Sequence, residues 1–177
     1  MHHYCVKYLT AAVQDDFGGP IAGGLLAAPI RILVVDDFEP FRRFLTSTLQ
    51  LRPEFHVICE VSDGLEAVQK ADELQPDLIL LDIGLPGLNG IEAGRQIGRV
   101  SPTSKILFVT QEASADLLKE VFNSGGCGYV VKTDARRELL TAVTTVLQGE
   151  RFVGRRFGDI DFTDVEDAPM RVATGIC

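Results

Sequence analysis

The chain has 177 residues, 46% of them hydrophobic and 24% charged, with a formal net charge of -8. That is a globular composition, which excludes a disordered or fibrous chain, and the length holds one domain of about 120 residues with extensions at both ends. The acidic balance argues against nucleic acid as a direct partner, because phosphate binding calls for clustered Lys and Arg. Residues 1–29 show no sustained period, and Gly18-Gly19-Pro20 and Gly23-Gly24 break what begins there, so they read as a leader or linker open to disorder. Their apolar run from Ile21 to Ile30 is too short to span a bilayer and follows Asp15 and Asp16 where a signal peptide would be basic, which points to a cytoplasmic protein with no membrane contact. Four widely spaced cysteines, Cys5, Cys59, Cys127 and Cys177, form no C-x-x-C pair; they suggest neither a zinc nor a redox motif and are expected as reduced thiols.

From Ile30 the pattern changes to apolar runs alternating with helical faces. Ile30–Val35 predicts a strand buried on both sides. After Asp36-Asp37-Phe38-Glu39-Pro40, the residues Phe41, Phe44, Leu45, Thr48 and Leu49 fall on one helix face, with Pro40 tolerated in the first turn. Phe55–Val61 predicts a second strand, and Ser62-Asp63-Gly64 turns into a helix with Leu65, Val68, Ala71 and Leu74 inward. Leu78–Leu81 is wholly aliphatic and therefore central. It delivers Asp82 into the loop I-G-L-P-G-L-N-G, after which Ile91, Ala93 and Ile97 mark a third helix. Lys105–Thr110 predicts a fourth strand, Ser114–Ser124 a fourth helix, Tyr129–Val131 a fifth strand, and about Ala135 to Gln148 a fifth helix with Leu139, Leu140, Val143, Val146 and Leu147 on one stripe. The rest, 150–177, carries the acidic run D-I-D-F-T-D-V-E-D and reads as a tail, disordered or docking, without a recognisable output domain.

Strand-helix repeats with short connections predict an α/β fold, a doubly wound five-stranded parallel sheet flanked by five helices. In such sheets ligands lie beyond the carboxyl ends of the strands. Those ends carry Asp36, Asp37, Asp82, Thr110 and Lys132. Three converging carboxylates repel one another unless a cation neutralises them, and a hard divalent ion such as Mg²⁺ suits an all-oxygen set that also meets phosphate oxygens. A carboxylate is also a competent nucleophile toward phosphorus, while Lys132 and the Thr110 hydroxyl can each meet an oxygen of the transferred group. Singly, each residue has a plainer reading: Asp36 or Asp37 as a helix cap, Lys132 as a solvated strand end, Thr110 as a β-favouring residue, Tyr129 as core. Their joint occurrence at successive strand ends is what favours the chemistry.

With L-V-V-D-D, L-L-D-I-G-L-P-G-L-N-G, F-V-T and G-Y-V-V-K in place, the segment 30–149 resembles a response-regulator receiver domain of two-component signalling, closest in pattern to receivers that carry helix-turn-helix outputs. The resemblance implies a flavodoxin-like fold and Mg²⁺-dependent phosphorylation of Asp82 by a histidine kinase or phosphotransfer protein. It further implies Asp37 as a direct metal ligand, Asp36 acting through water, and a backbone ligand from the Ile83 or Gly84 peptide. Thr110 would be the switch hydroxyl, Lys132 the paired amine, and Tyr129 an aromatic that turns inward, switching the surface of helix four, strand five and helix five. It allows a homodimer and no enzymatic turnover of an external substrate. Gln111, where the family has a small residue, would shade the acyl phosphate from water. Two rivals are a phosphorylation-independent pseudo-receiver and an aspartyl-phosphate hydrolase of the haloacid-dehalogenase type; Asp36-Asp37-Phe38 lacks the D-x-D that the latter needs.

Overall fold

The computed structural model describes residues 28–157. Strands β1 (Ile30–Val35), β2 (Phe55–Val61), β3 (Leu78–Leu81), β4 (Lys105–Thr110) and β5 (Gly128–Val131) alternate with helices α1 (Glu39–Leu49), α2 (Gly64–Leu74), α3 (Gly90–Val100), α4 (Ala115–Asn123) and α5 (Ala135–Leu147). With a short last strand, β6 (Phe152–Val153), every strand pairing is parallel, in the order β2-β1-β3-β4-β5-β6. The chain steps from β1 outward to β2, then crosses back to place β3 on the other side of β1. The strand order therefore reverses between β1 and β3, which is where an open sheet forms its crevice.

The strands have helices on both faces, so their residues alternate between two cores. Leu33, Val35, Ile79, Leu81, Phe108 and Tyr129 pack with Ala67, Ala71, Ile97, Val121 and Phe122 of α2, α3 and α4. Ile32, Val34, Leu78, Leu80, Leu107 and Val109 pack with Leu45, Leu49, Leu139, Val143 and Val146 of α1 and α5. Period-two alternation into two dry layers explains why β3 is an unbroken aliphatic run. It also makes the strand an unyielding base for the acid that follows it.

Three expectations need correction. The sheet has six strands: β6 (Phe152–Val153) pairs with β5, followed by a 3-10 turn at Arg155–Phe157. The start of the expected tail is thus part of the fold. Gly149, with φ of 88°, ends α5 in the left-handed region and redirects the chain toward the sheet edge. The expected leader up to residue 27, and the tail from residue 158, lie outside the described residues. On α2, Leu65 is exposed and the inward stripe is Ala67 and Ala71, with Val68 and Leu74 partly buried; small residues let α2 approach the core closely and leave the first turn at the rim. Finally, Cys127 is disulfide-bonded rather than a reduced thiol, while Cys59 is buried in the core. Among the described residues no helix is long and apolar enough to cross a membrane.

Candidate functional site

Val35 and Leu81 are register partners, so the residues after them, Asp36 and Asp82, emerge side by side at the switch point. The Asp82 N–H donates to Val35 O (2.9 Å) and the Asp36 N–H to Val61 O (3.1 Å), which fixes both backbones in the sheet ladder. Both acids are buried; Asp37, one residue on, is exposed at the mouth. Carboxylate oxygens of Asp36, Asp37 and Asp82 lie within 4.8 Å of one another.

The Lys132 ammonium stands 2.7 Å from Oδ2 of Asp36 and 2.7 Å from Oδ2 of Asp82, with its side chain only 8% exposed. The contact with Asp82 is a hydrogen bond; Oδ2 of Asp36, despite its ion pair, has no aligned donor among the described residues. Burial raises the Asp36 carboxyl above the usual range, against the pull of Lys132, and the neighbouring Asp82 charge pushes the same way. For Lys132, burial alone would favour the neutral amine, but the two carboxylates outweigh it and hold its pKa above the ordinary value. One cation facing three acids leaves net negative charge in a partly dry crevice. The under-partnered Asp36 oxygen and the all-carboxylate donor set fit a hard cation.

Around this centre the expected residues divide. Neither Asp36 nor Asp37 caps α1: its N-cap is Phe38, with no side-chain cap, and Asp36 Oδ1 instead accepts from the Phe38 N–H (3.0 Å) in a local turn. Gly84 meets Asp82 through its N–H, which donates to Asp82 Oδ1 (3.3 Å). Thr110 is buried at the end of β4, its Oγ1 accepting from the Glu112 N–H (3.4 Å). Tyr129 is fully buried, its hydroxyl donating to the Glu112 carbonyl. Glu112 therefore touches both expected switch residues, one with each half of its backbone. Gln111 is exposed.

Sequence reasoning missed three neighbours. Phe41, read only as a core-facing residue, has its ring 4.9 Å from the Lys132 ammonium, a cation-π contact that helps hold the amine. Arg42 donates through Nη1 to the Asp36 carbonyl (2.5 Å) and pairs through Nε with Glu60 (3.4 Å), bracing the first acid from behind. Glu112 lies in the loop between β4 and α4, with no motif to mark it. The closeness of Phe41 and Arg42 to the acid pair, one helical turn on, was the available signal; a backbone role such as that of Glu112 leaves none in the side chain.

Burial pushes the Tyr129 phenol up to about 12, helped by the Glu112 charge. The folded chain thus holds this proton more tightly than the unfolded one. The stabilisation is fully present below pH about 10 and is lost as pH rises through about 12. A phenolate absorbance titration of the wild type minus Tyr129→Phe should therefore place this group near 12; a midpoint at the ordinary value near 10 would contradict the buried hydroxyl.

The family model described as "Response regulator receiver domain" matches residues 32–144. The transcriptional regulatory protein LiaR of Bacillus subtilis is 39% identical over 121 residues, covering 68% of this chain and 57% of that protein. The oxygen regulatory protein NreC of Staphylococcus epidermidis is 34% identical over 125 residues, covering 70% and 57%. The chain thus spans a little over half the length of these relatives. Among solved structures, a LuxR-family two-component response regulator from Aurantimonas is 33% identical with a TM-score of 0.68, covering 71% of this chain and 89% of that one. The response regulator domain of Thermotoga maritima CheB is 32% identical with a TM-score of 0.63, covering 68% and 97%.

Proposed function

Since this chain belongs to the response regulator receiver domain family, we propose that Asp82 is its phosphoacceptor and that the modification is read through Thr110 and Tyr129. The observation that carries the assignment is the position of Asp82, buried beside Asp36 at the reversal of strand order, with Lys132 2.7 Å from both. A carboxylate oxygen of Asp82 attacks the phosphorus of the donor, the bond to the leaving group breaks with its electron pair, and an acyl phosphate forms. In a histidine kinase or phosphotransfer partner the leaving group is an imidazole nitrogen.

Mg²⁺, held by Asp37, Asp82 and Asp36, would neutralise the charge of the carboxylates and the incoming phosphoryl oxygens. Lys132, relieved of its contact with the Asp82 carboxylate, meets a phosphoryl oxygen as a point charge, while its contact with Asp36 keeps it in place. The Thr110 hydroxyl, which now accepts from Glu112, can donate to another. Turning toward the phosphoryl group moves Oγ1 away from the Glu112 N–H that it accepts from, and the same residue's carbonyl holds Tyr129. The change at Asp82 is thereby passed along the β4–α4 loop to an aromatic side chain and the surface of α4, β5 and α5, as a shift between existing populations. The domain in this reading modifies only itself, and works in the cytoplasm.

Incubation of the chain with acetyl phosphate and Mg²⁺ should add one phosphoryl group by intact mass, and chelation with EDTA should suppress the addition at least tenfold. An unchanged mass in the wild type with Mg²⁺ present would sink the assignment.

A further inference from the structure

Tyr129 faces in two directions. Its hydroxyl reaches the β4–α4 loop at Glu112, and its ring packs edge-on against Phe157, with centroids 5.3 Å apart and planes at 78°. Its backbone is engaged as well. Tyr129 is the register partner of Val153, and its carbonyl accepts from the Gly154 N–H (3.0 Å).

The segment that meets it is attached at defined points. The Phe152 N–H donates to Cys127 O (3.1 Å), the Arg155 N–H to Glu138 Oε1 (3.1 Å), and the Arg156 guanidinium pairs with Asp134 (2.6 Å). Glu138 on α5 is only 8% exposed, and its Oε2 has no hydrogen-bond partner among the described residues. A Cβ on Gly154 would come 2.6 Å from that oxygen, so the segment passes flush over the carboxylate. Burying an under-satisfied acid is costly, and here the acid's satisfied oxygen serves the docked segment. Against this specificity stands a short contact: β6 is two residues long and lies at the sheet edge, where local opening is easy. A weakly held element pinned on one buried ring is well suited to report that ring's position.

We infer that residues 152–157 are a reader of Tyr129 built into the chain: the inward ring and the docked segment favour one another, so the switch sets the hold on whatever follows Phe157. The inference rests on the proposed switch role of Tyr129 and adds to it the element that receives the signal. By thermodynamic reciprocity, undocking the segment must weaken the inward state as much as losing the ring loosens the segment.

Amide hydrogen exchange on the full chain, read by mass spectrometry over residues 152–157, tests it. Without phosphodonor, Tyr129→Ala and Phe157→Ala should each speed exchange in this segment about tenfold or more, while Tyr129→Phe, which keeps the ring, should stay close to wild type. With acetyl phosphate and Mg²⁺, exchange in the same segment should change about threefold or more in the wild type and stay fixed in Phe157→Ala. Wild-type exchange in Phe157→Ala, or a loaded wild type whose segment exchanges as before, overturns the inference. If no phosphoryl group is gained, the acceptor assignment falls, and the arms without phosphodonor still decide whether the ring holds the segment.

Discussion

Asp82→Asn should end phosphoryl incorporation altogether while leaving the chain folded. The amide matches the carboxylate in shape and keeps an oxygen for the Gly84 N–H, but it lacks the charge that makes the carboxylate a nucleophile toward phosphorus. The consequences for stability are mixed. Lys132 loses one of its two ionic contacts, at 2.7 Å, while Asp36 loses a like-charged neighbour that helps to raise its pKa. These effects oppose each other in the same crevice, and Lys132 remains paired with Asp36. The expected net change is within about 1 kcal/mol, far below the 3–5 kcal/mol typical of stranding a buried charge. A second readout separates chemistry from folding. Saturating Mg²⁺ should stabilise the wild type, by about 2.7 kcal/mol at a hundredfold excess over its Kd, and stabilise the variant less because one carboxylate ligand is gone. Intact mass with acetyl phosphate, and urea unfolding with and without Mg²⁺, measure both. Phosphoryl still present on the variant would move the acceptor to another residue.

The parts of this site that are legible in the sequence are those tied to a strand end. Leu78–Leu81 is apolar because both faces of β3 are dry, and that run alone places Asp82 at the crevice. The same logic finds Asp36, Thr110 and Lys132. Residues that act through backbone are silent: the N–H and C=O of Glu112 would bridge Thr110 and Tyr129 whatever its side chain were. Helix phase is only partly legible. Leu65 fits the inward period of α2 as well as Ala67 does, and only close packing of small residues chooses between them. The sixth strand was hidden by size, since two apolar residues after a glycine carry no period. Its specification is tertiary, in Glu138 and Tyr129 rather than in Phe152 and Val153.

Gly90→Ala should both destabilise the fold and slow phosphorylation, although Gly90 carries no functional atom. It opens α3, its N–H donating to Ile83 O (2.9 Å), and a Cβ there would sit 1.9 Å from Asp82 O, 2.7 Å from Ile83 Cα and 2.8 Å from Asp82 C. All three are backbone atoms of Asp82 and the residue after it, so no rotamer change relieves the contact. Either α3 moves away or the Asp82 peptide leaves the ladder bond that its N–H makes to Val35. Overpacking of this kind costs about 1–3 kcal/mol and sometimes more. The better helix propensity of Ala returns at most about 1 kcal/mol, so the clash wins. Gly98 in the same helix is exposed, with nothing within 4 Å of an added Cβ, and Gly98→Ala should be neutral or stabilising by about 0.4–1 kcal/mol. Because a shift of about 1 Å at a reacting group can cost about a hundredfold in rate, Gly90→Ala should slow phosphorylation by about that factor even where it remains folded. Urea midpoints and acetyl phosphate time courses on the two variants decide the matter: equal midpoints and equal rates would mean that the acceptor strand yields freely. The geometry leaves little room for that, because Asp82 is held from β1 through its N–H, the next residue's carbonyl is held from α3 by the Gly90 N–H, and only a residue without a Cβ lets that helix come so close.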